Sequence, residues 1–334
     1  MREVLQKIWY SAERPALGLR GLSWLFIAAA ALRRRWLQGR ARQTQLPLPV
    51  VVVGNLTVGG SGKTPFVIWL VERLREWGWR PGIVSRGYGG RAQRVPLLVT
   101  RDTSAAECGD EPLLMARRLG CPVMVCLNRV EAARALIRQG DVDIVVSDDG
   151  LQHYRLPRDL EIAVVDGVRG LGNGHRLPAG PLREAPERLT TVDLVVVNGP
   201  AWKSPVALRR PLLAMRVSGP MAHSLQTAQV RALGDFAGQT VHAVAGIGNP
   251  ARFFSMLSQL EISLVMHPFP DHHQFRATDF GFGDERPVLM TEKDAVKCQS
   301  FIDARMWSVP VSAQIDPEGT ACVRELIGAL KKRA

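Results

Sequence analysis

The chain has 334 residues, which is too long for one ordinary domain and predicts two domains, each able to bury its own core. Lysine and arginine outnumber aspartate and glutamate by 43 to 31, a formal net charge of +12, so we expect an anionic partner: nucleic acid, a phosphorylated substrate or a membrane surface. The five cysteines are odd in number and form no C-x-x-C pair, which argues against a disulfide framework and a zinc site and favours a reducing compartment.

Residues 1–45 have a composition of their own and predict a membrane-associating helix. Residues 21–32, GLSWLFIAAAAL, carry no charge and are followed by three arginines at 33–35. As a helix this stretch would be about 18 Å long, against about 30 Å for a hydrocarbon core, so it cannot span alone. We expect it to lie in one leaflet, with the arginines on lipid phosphates and Trp9, Trp24 and Trp36 near the headgroups. A helix buried against the core is the alternative.

Residues 50–64, VVVVGNLTVGGSGKT, predict a strand, a glycine-rich loop and the start of a helix. Such a loop can turn its backbone N–H groups around a phosphate while the helix points its positive end at the same anion. Lys63 would reach the β- and γ-phosphates of ATP, and the Thr64 hydroxyl would bind Mg²⁺. Thr57 stands where the usual motif has its first glycine. The predicted nucleotide contacts are Thr57, Val58, Gly59, Gly60, Ser61, Gly62, Lys63 and Thr64. The alternative is a turn that merely packs a helix on a strand.

Polar and charged residues follow several later predicted strands. Arg86, in RGYGG after the strand at 82–85, is a candidate phosphate contact. Asp110 and Glu111 precede a helix, where carboxylates serve more often as caps than as catalysts. Asp148 and Asp149 end the run VDIVVSDDG, and an acid at a strand end beside a phosphate loop holds the metal in P-loop enzymes.

Residues 167–190 are rich in glycine, proline and arginine and predict a binding loop, with an interdomain linker as the alternative. Arg183 and Glu184 are its candidates for charge chemistry. Beyond it, Asp271, His272 and His273 follow a predicted strand. Because the two histidines are adjacent and lack the i, i+4 spacing of metal ligands on a helix, we expect them to act in acid–base chemistry or in positioning rather than in zinc binding.

Alternation of strands and helices predicts an α/β fold made of two α/β/α lobes with mainly parallel sheets, the first resembling a P-loop NTPase. The predicted segments are the membrane-associating segment 1–45, a nucleotide lobe 46–166, a linker or binding loop 167–190, a second lobe 191–285, and a C-terminal segment 286–334 that returns toward the nucleotide lobe.

The ordered motifs VGNLTVGGSGKTP, SRGYGG, GDEP, SDDGLQH, LPAGPLRE, GIGNP, FPDHHQF and TEKDAVK resemble the lipid A 4′-kinase family, the tetraacyldisaccharide 4′-kinases, over nearly the whole chain. The resemblance implies ATP-dependent phosphorylation of the 4′-hydroxyl of an acylated glucosamine disaccharide 1-phosphate, with Mg²⁺, in a cleft between two lobes. It also implies the cytoplasmic face of a Gram-negative inner membrane, with its anionic lipids as partners. We assume a monomer and expect no nucleic-acid partner.

Carried over to this chain, the resemblance makes Asp110 the catalytic base, supported by His272 and, at the phosphate, by Lys63. Glu184 joins the predicted metal-side residues Thr64, Asp148 and Asp149, and the weaker substrate candidates are Asn55, Arg86, Arg183 and Asp271. A rival hypothesis from another class is a membrane-recruited nucleotide switch that uses the same loop and metal acids.

Overall fold

The computed structural model describes residues 2–11, 15–41, 44–91 and 93–330. The α-helices of these residues are α1 (Arg2–Trp9), α2 (Leu17–Ala41), α3 (Lys63–Glu76), α4 (Ala105–Cys108), α5 (Asp110–Leu119), α6 (Arg129–Arg138), α7 (Pro250–Ser258), α8 (Glu292–Ala295) and α9 (Pro317–Gly328). Short 3-10 helices occupy Pro186–Thr190, Leu233–Phe236 and Ala277–Phe280.

The strands of the described residues form two sheets. Those of the first are β1 (Val50–Gly54), β2 (Pro81–Ser85), β3 (Leu97–Leu98), β4 (Val123–Val125), β5 (Ile144–Ser147), β6 (Leu160–Asp166), β7 (Leu194–Asn198), β8 (Leu213–Ser218) and, numbered last in the chain, β15 (Ser312–Gln314). Those of the second are β9 (Met221–Ser224), β10 (Val230–Ala232), β11 (Thr240–Ala245), β12 (Ser263–Pro268), β13 (Val288–Thr291) and β14 (Met306–Val309).

The first sheet has the order β15-β8-β7-β6-β1-β5-β2-β4-β3 and is parallel except at its two edge pairs. Its central strands are almost wholly apolar, as in VVVVG of β1, because helices cover both faces. Residues of α3, α5 and α9 pack in the core on one face, and α6 packs in the core on the other. This lobe is the predicted P-loop-like α/β lobe.

The second sheet has the order β10-β9-β14-β13-β11-β12, with the four strands from β14 to β12 parallel and β9 and β10 antiparallel to their neighbours. Helix α7 packs on this sheet through Phe253, Phe254 and Leu257. The chain therefore has two α/β lobes with mainly parallel pairing, as the alternation of elements predicted.

The lobe boundary predicted at residue 191 comes too early. Strand β7 pairs in parallel with β6, and β8 pairs in parallel with β7, so the first lobe continues to Ser218. The segment 286–334 is also divided, because β13 and β14 complete the second sheet whereas β15 and α9 pack on the first lobe. These pairings join distant residues, which local sequence patterns do not record.

The segment 167–190, predicted as a binding loop with an interdomain linker as the alternative, does not join the two lobes. It connects β6 and β7, which are neighbours in the first sheet, and it buries Leu171, Ala179, Leu182 and Leu189 in that lobe. Trp9, predicted to lie near lipid headgroups, is also buried here, and its indole N–H donates to the Pro178 carbonyl at 2.9 Å.

Helix α2 contains the apolar stretch 21–32 and continues well beyond it. Five of its large apolar side chains face outward and are more than half exposed: Leu22, Trp24, Leu25, Leu32 and Trp36. The alternative of a buried core helix is therefore wrong. In the part of the chain that the structure describes, no helix combines the length and the apolar character needed to cross a bilayer.

The second lobe supplies a stability prediction. Phe236 is fully buried, with its ring 5.7 Å from Trp307 in an edge-to-face contact. Phe236→Ala should lower the free energy of unfolding by about 3–5 kcal/mol, because it removes this contact and leaves a cavity. The matched control Leu260→Ala, at a partly exposed position, should change it by no more than about 0.5 kcal/mol. Denaturant unfolding followed by fluorescence measures both, and equal effects would contradict the assignment of Phe236 to the core.

Candidate active site

A cleft of about 1040 Å³ lies between the two lobes. The first lobe lines it with the glycine-rich loop and the ends of β2 and β5, and the second lobe with the residues after β11, β12 and β13. Because ligands of parallel α/β sheets bind at the carboxyl ends of the strands, this is where a nucleotide and its acceptor are expected to meet. Among the predicted site residues that line the cleft are Lys63, Thr64, Arg86, Asp148, Asp149, Arg183, Asp271 and His272.

The phosphate loop has a conformation that requires glycine. Gly59 has φ 111° and Gly62 φ 92°, both in the left-handed region. A side chain at Gly62 would also place its Cβ 2.1 Å from Nδ2 of Asn198, which donates a buried hydrogen bond to the Ser61 carbonyl at 3.1 Å. Asn198 ends β7, so a neighbouring strand fixes the loop just before α3.

The segment 181–183 supports the other side of the phosphate loop. The N–H of Val58 donates to the Pro181 carbonyl at 2.9 Å, and the N–H of Arg183 donates to the Leu56 carbonyl at 2.7 Å. Thr57 forms an antiparallel bridge with Leu182. The loop at 167–190 thus braces the phosphate loop, and Thr57, where the usual motif has glycine, makes an ordinary strand-like pairing.

Asp149 is held by two cations of the cleft. Arg183 donates to both of its carboxylate oxygens at 3.0 Å, and Nζ of Lys63 lies 3.5 Å from Oδ1. Burial opposes its ionisation, but Lys63 and Arg183 hold the pKa of Asp149 well below its usual range. Asp149 therefore orients the two cations that face an incoming phosphate.

Asp148 is almost fully buried and has a different environment from Asp149. Burial, together with the charges of Glu111 and Asp149, raises the pKa of Asp148 to about 7. Its Oδ2 accepts a long hydrogen bond from Ser85 at 3.4 Å, and its Oδ1 has no hydrogen-bond partner among the residues that the structure describes. A buried carboxylate oxygen that lines the cleft without a partner fits a bound cation.

Glu184 lies outside the lining of the cleft. It accepts hydrogen bonds from Tyr154 and, at 2.8 Å, from Gln152, and Arg34 of α2 lies 3.7 Å from its Oε2. Gln152 also accepts from Arg183 at 3.2 Å, so Glu184 connects to Asp149 through two side chains.

A metal at this site would depend on few protein ligands. The described ranges contain no group of three or more histidine, cysteine, aspartate and glutamate side chains placed to hold a metal ion. Mg²⁺ at phosphate sites keeps several waters and uses one or two carboxylates together with phosphate oxygens. Asp148 and Thr64, which both line the cleft, fit that smaller set.

Asp110 and His272 come from different lobes and meet at the wall of the cleft: His272 lines the cleft, whereas Asp110 is not among its lining residues. Asp110 is the first residue of α5 and is only 3% exposed, and His272 follows β12. Nδ1 of His272 lies 2.9 and 3.0 Å from the two carboxylate oxygens of Asp110. His272 has φ 64°, unusual for a residue other than glycine, and its ring packs edge-on against Tyr88 at 4.8 Å. The carboxylate thus faces the other lobe, although Oδ1 also accepts from the N–H of Glu111 at 3.0 Å.

Two lysines of the TEKDAVK motif complete this cluster. Nζ of Lys293 lies 2.8 Å from Glu111, 3.5 Å from Asp271 and 3.9 Å from Asp110, and Nζ of Lys297 lies 3.7 Å from Asp110. Burial acts to raise the pKa of Asp110, but the hydrogen bond from His272 and the charges of Lys293 and Lys297 lower it below its usual range.

The sequence predicted that the segment 286–334 returns toward the nucleotide lobe but indicated no role for these two lysines. Their spacing of four residues, which places side chains on one face of a helical turn, was an available signal. Gln152, Tyr154 and Asn198 were missed for another reason: their partners are distant in sequence, and nothing local marks them.

Asn55 has a different role from the other substrate candidates. It is buried, its side-chain amide donates to the Gly59 carbonyl at 3.4 Å, and its backbone carbonyl accepts from the side-chain amide of Gln152. It therefore shapes the phosphate loop from behind. Arg86, Arg183 and Asp271 line the cleft and stay candidates for substrate contact.

Comparison with known proteins gives one consistent result. The family model for tetraacyldisaccharide-1-P 4′-kinase matches residues 15–328. A tetraacyldisaccharide 4′-kinase of Alkalilimnicola ehrlichii is 54% identical over 303 residues, 90% of this chain and 89% of the relative. One from Nitrosococcus oceani is 47% identical over 331 residues, 99% of this chain and 96% of the relative.

A solved structure agrees with these relatives. LpxK from Aquifex aeolicus, crystallised in complex with ATP, superposes with a TM-score of 0.75 at 27% identity and covers 92% of this chain and 96% of its own. On the family match and on the identity to full-length relatives, the chain belongs to the tetraacyldisaccharide 4′-kinase family.

Proposed function

We propose that this protein transfers the γ-phosphoryl group of ATP to the 4′-hydroxyl of an acylated glucosamine disaccharide 1-phosphate, a step of lipid A biosynthesis, with Asp110 as the base. The observation that carries the mechanism is the contact between Asp110 of one lobe and His272 of the other, at the wall of a cleft that His272, Lys63 and Thr64 line. A carboxylate of one lobe and an imidazole of the other then face the acceptor hydroxyl beside the phosphate loop.

Phosphoryl transfer depends mainly on positioning and on neutralising the charge of the phosphoryl oxygens. The backbone N–H groups of the phosphate loop and the N-terminus of α3 bind the phosphates, and Lys63 places its charge on the migrating group. Asp110 accepts the proton of the sugar hydroxyl as the new O–P bond forms. A carboxylate with a lowered pKa is a weak base, which suits a loose transition state because little of the proton moves before the phosphoryl group does.

Mg²⁺ is the metal that the residues of the site fit, with Thr64 and Asp148 as protein ligands and Asp149 beside them. When bound, it would supply positive charge that neutralises the phosphate oxygens. Glu184 belongs to the loop at 167–190 and supports the site indirectly, because it contacts Tyr154, Gln152 and Arg34 but does not itself line the cleft.

The helix α2 would dock the enzyme on the cytoplasmic face of the inner membrane. The acyl chains keep the substrate in the bilayer, and an enzyme that extracted it would lose about 0.8 kcal/mol for each CH₂ exposed to water. Leu17 is 81%, Trp24 72% and Leu32 73% exposed, which supports an apolar face available to lipid. Arg33 and Arg35 are exposed beside it and would attract anionic lipids.

The first prediction tests the base. Asp110→Asn should lower kcat by about 10²- to 10⁴-fold and leave ATP affinity nearly unchanged, because it removes the proton acceptor and keeps the phosphate loop. Lys63→Ala should lower both ATP affinity and kcat. Transfer of labelled phosphate from ATP to the disaccharide 1-phosphate, together with ATP titration, measures both. Equal loss of ATP affinity in the two variants would contradict the role of Asp110, and release of free phosphate without transfer would favour the nucleotide switch.

The second prediction tests the metal ligand. Asp148→Asn should raise the Mg²⁺ concentration required for half-maximal activity by at least about tenfold, because an anionic ligand becomes neutral. The control is Asp143→Asn, which removes a surface carboxylate paired with Arg80 shortly before β5 and should leave the Mg²⁺ requirement unchanged. A magnesium titration of activity at saturating ATP distinguishes them. If both variants keep the wild-type requirement, Asp148 has no part in metal binding.

The third prediction tests the docking helix. Changing the exposed Leu22, Leu25 and Leu32 together to serine should release the protein from anionic vesicles in a sedimentation assay, because the apolar face is lost. The melting temperature and the activity on a short-chain, water-soluble substrate analogue should stay at the wild-type value. The control Leu260→Ser removes an exposed leucine of the second lobe and should not change vesicle binding. Retained vesicle binding of the triple variant would exclude α2 as the anchor.

A further inference from the structure

The buried pair Lys297–Asp294 has no role in the mechanism above, although it lies behind the proposed base. Both side chains are at most 2% exposed, and Nζ of Lys297 lies 2.7 Å from Oδ1 of Asp294. The other oxygen, Oδ2, accepts the N–H of Gly246 at 2.8 Å and the hydroxyl of Thr291 at 2.6 Å. Burying two charges is unfavourable unless their geometry is well fixed, and here the backbone at the end of β11 fixes the acid.

Lys297 faces a second acid from the first lobe. Its Nζ lies 3.7 Å from Oδ2 of Asp110, while Nδ1 of His272 contacts both oxygens of the same carboxylate. Besides Lys293, Asp110 therefore has two neighbours of different kinds on the second lobe. One of them, His272, stands in the cleft, and the other, Lys297, is enclosed by protein.

We propose that Lys297 is a positioning residue of the kinase reaction: held by Asp294, its ammonium fixes the orientation of the Asp110 carboxylate toward His272 and keeps that carboxylate ionised. The inference rests on the role proposed for Asp110. Lys297 does not touch the substrate and takes no proton. It acts through Asp110 alone.

The competing neighbour is Lys293, which differs from Lys297 in its contacts. Its close partner is Glu111 at 2.8 Å, and it lines the cleft, where a substrate phosphate would compete for its charge. Lys297 does not line the cleft, so a substrate phosphate would not compete with Asp110 for its ammonium group. Among the described residues, the ionisable groups around Asp110 include Cys108 and Glu111 of the first lobe and His272, Lys293 and Lys297 of the second, with Asp271 and Asp294 paired to the two lysines.

The inference predicts a specific kinetic change in Lys297→Met. We expect kcat to fall by about ten- to a hundredfold with KM for both substrates near the wild-type value, because a misoriented base affects the transition state and not binding. Loss of the neighbouring cation also raises the pKa of Asp110, so the fall in kcat/KM toward acid pH should begin at a higher pH than in the wild type. Lys297→Arg, which keeps the charge, should recover part of the loss.

A double-mutant cycle separates positioning from stability. If Lys297 acts through Asp110, then Lys297→Met should cause no further loss of kcat in the Asp110→Asn background. An additive loss, or a uniform loss of activity at every pH, would overturn the inference while leaving the role of Asp110 intact. Retained activity of Asp110→Asn itself would instead refute the proposed base.

Two further variants exclude misfolding as the explanation. Asp294→Asn with Lys297→Met removes the pair together and leaves no unpaired buried charge, so it should fold and show the same kinetic loss. Arg305→Met removes another ion pair of the second lobe, with Asp303, and should lower the melting temperature without changing kcat. If the neutral double variant folds and has wild-type kcat, Lys297 is not a positioning residue.

Discussion

The charge cluster around Asp110 is the constraint that sets how the two lobes meet. Asp110 and Glu111 of the first lobe face His272, Lys293 and Lys297 of the second, all at least partly buried. Buried charges are tolerated when they are paired, and each side of this cluster would leave charges unpaired if the lobes separated. A further ion pair joins helix α5 of the first lobe to helix α8 of the second: Arg118 lies 2.9 Å from Glu292. The closed cleft therefore forms where α5 meets α8.

The carboxylates of the site differ in the charged groups that surround them. Asp148 and Asp149 are adjacent, yet the pKa of Asp148 is raised to about 7, whereas that of Asp149 is lowered, because only Asp149 contacts Lys63 and Arg183. Burial acts to raise the pKa of Asp110, but His272, Lys293 and Lys297 of the other lobe lower it below its usual range. Neighbouring carboxylates with separated pKa values can take separate roles: in the proposed mechanism Asp148 binds the metal, Asp149 orients cations and Asp110 is the base.

How far the sequence predicted this site depended on how local each signal was. The phosphate loop, its lysine and the acids after β5 follow from a strand, a glycine-rich turn and a helix within one short stretch, and the structure brings Lys63, Thr64, Asp148 and Asp149 together in the cleft. Asp110 looked like a helix cap from its spacing. Its partner His272 lies 162 residues away, and only the resemblance to a family connected them.

The failures of the sequence analysis have a common physical reason. Trp9 was assigned to a membrane surface from its aromatic character, whereas it packs on the loop at 167–190 through a hydrogen bond to Pro178. The composition of that loop predicted a binding loop, with an interdomain linker as the alternative, but did not indicate that its backbone pairs with Leu56 and Val58. The composition of a segment indicates its conformational preferences but not the distant residues against which it packs. Burial depends on partners that periodicity and spacing do not identify.

These contacts join the exposed helix to the phosphate site through a short series of side chains. Arg34 of α2 lies 3.7 Å from Glu184 and 4.9 Å from the centre of the Tyr154 ring, and Ser23 donates to the Arg176 carbonyl at 2.9 Å. Glu184 accepts from Gln152, which contacts Arg183 and through it Asp149. The inner face of α2 is thus fixed to the loop that braces the phosphate loop, while its outer face is apolar. A membrane that held the outer face would hold the phosphate site at a constant height above the lipid headgroups, which is what a kinase with a bilayer-bound acceptor requires.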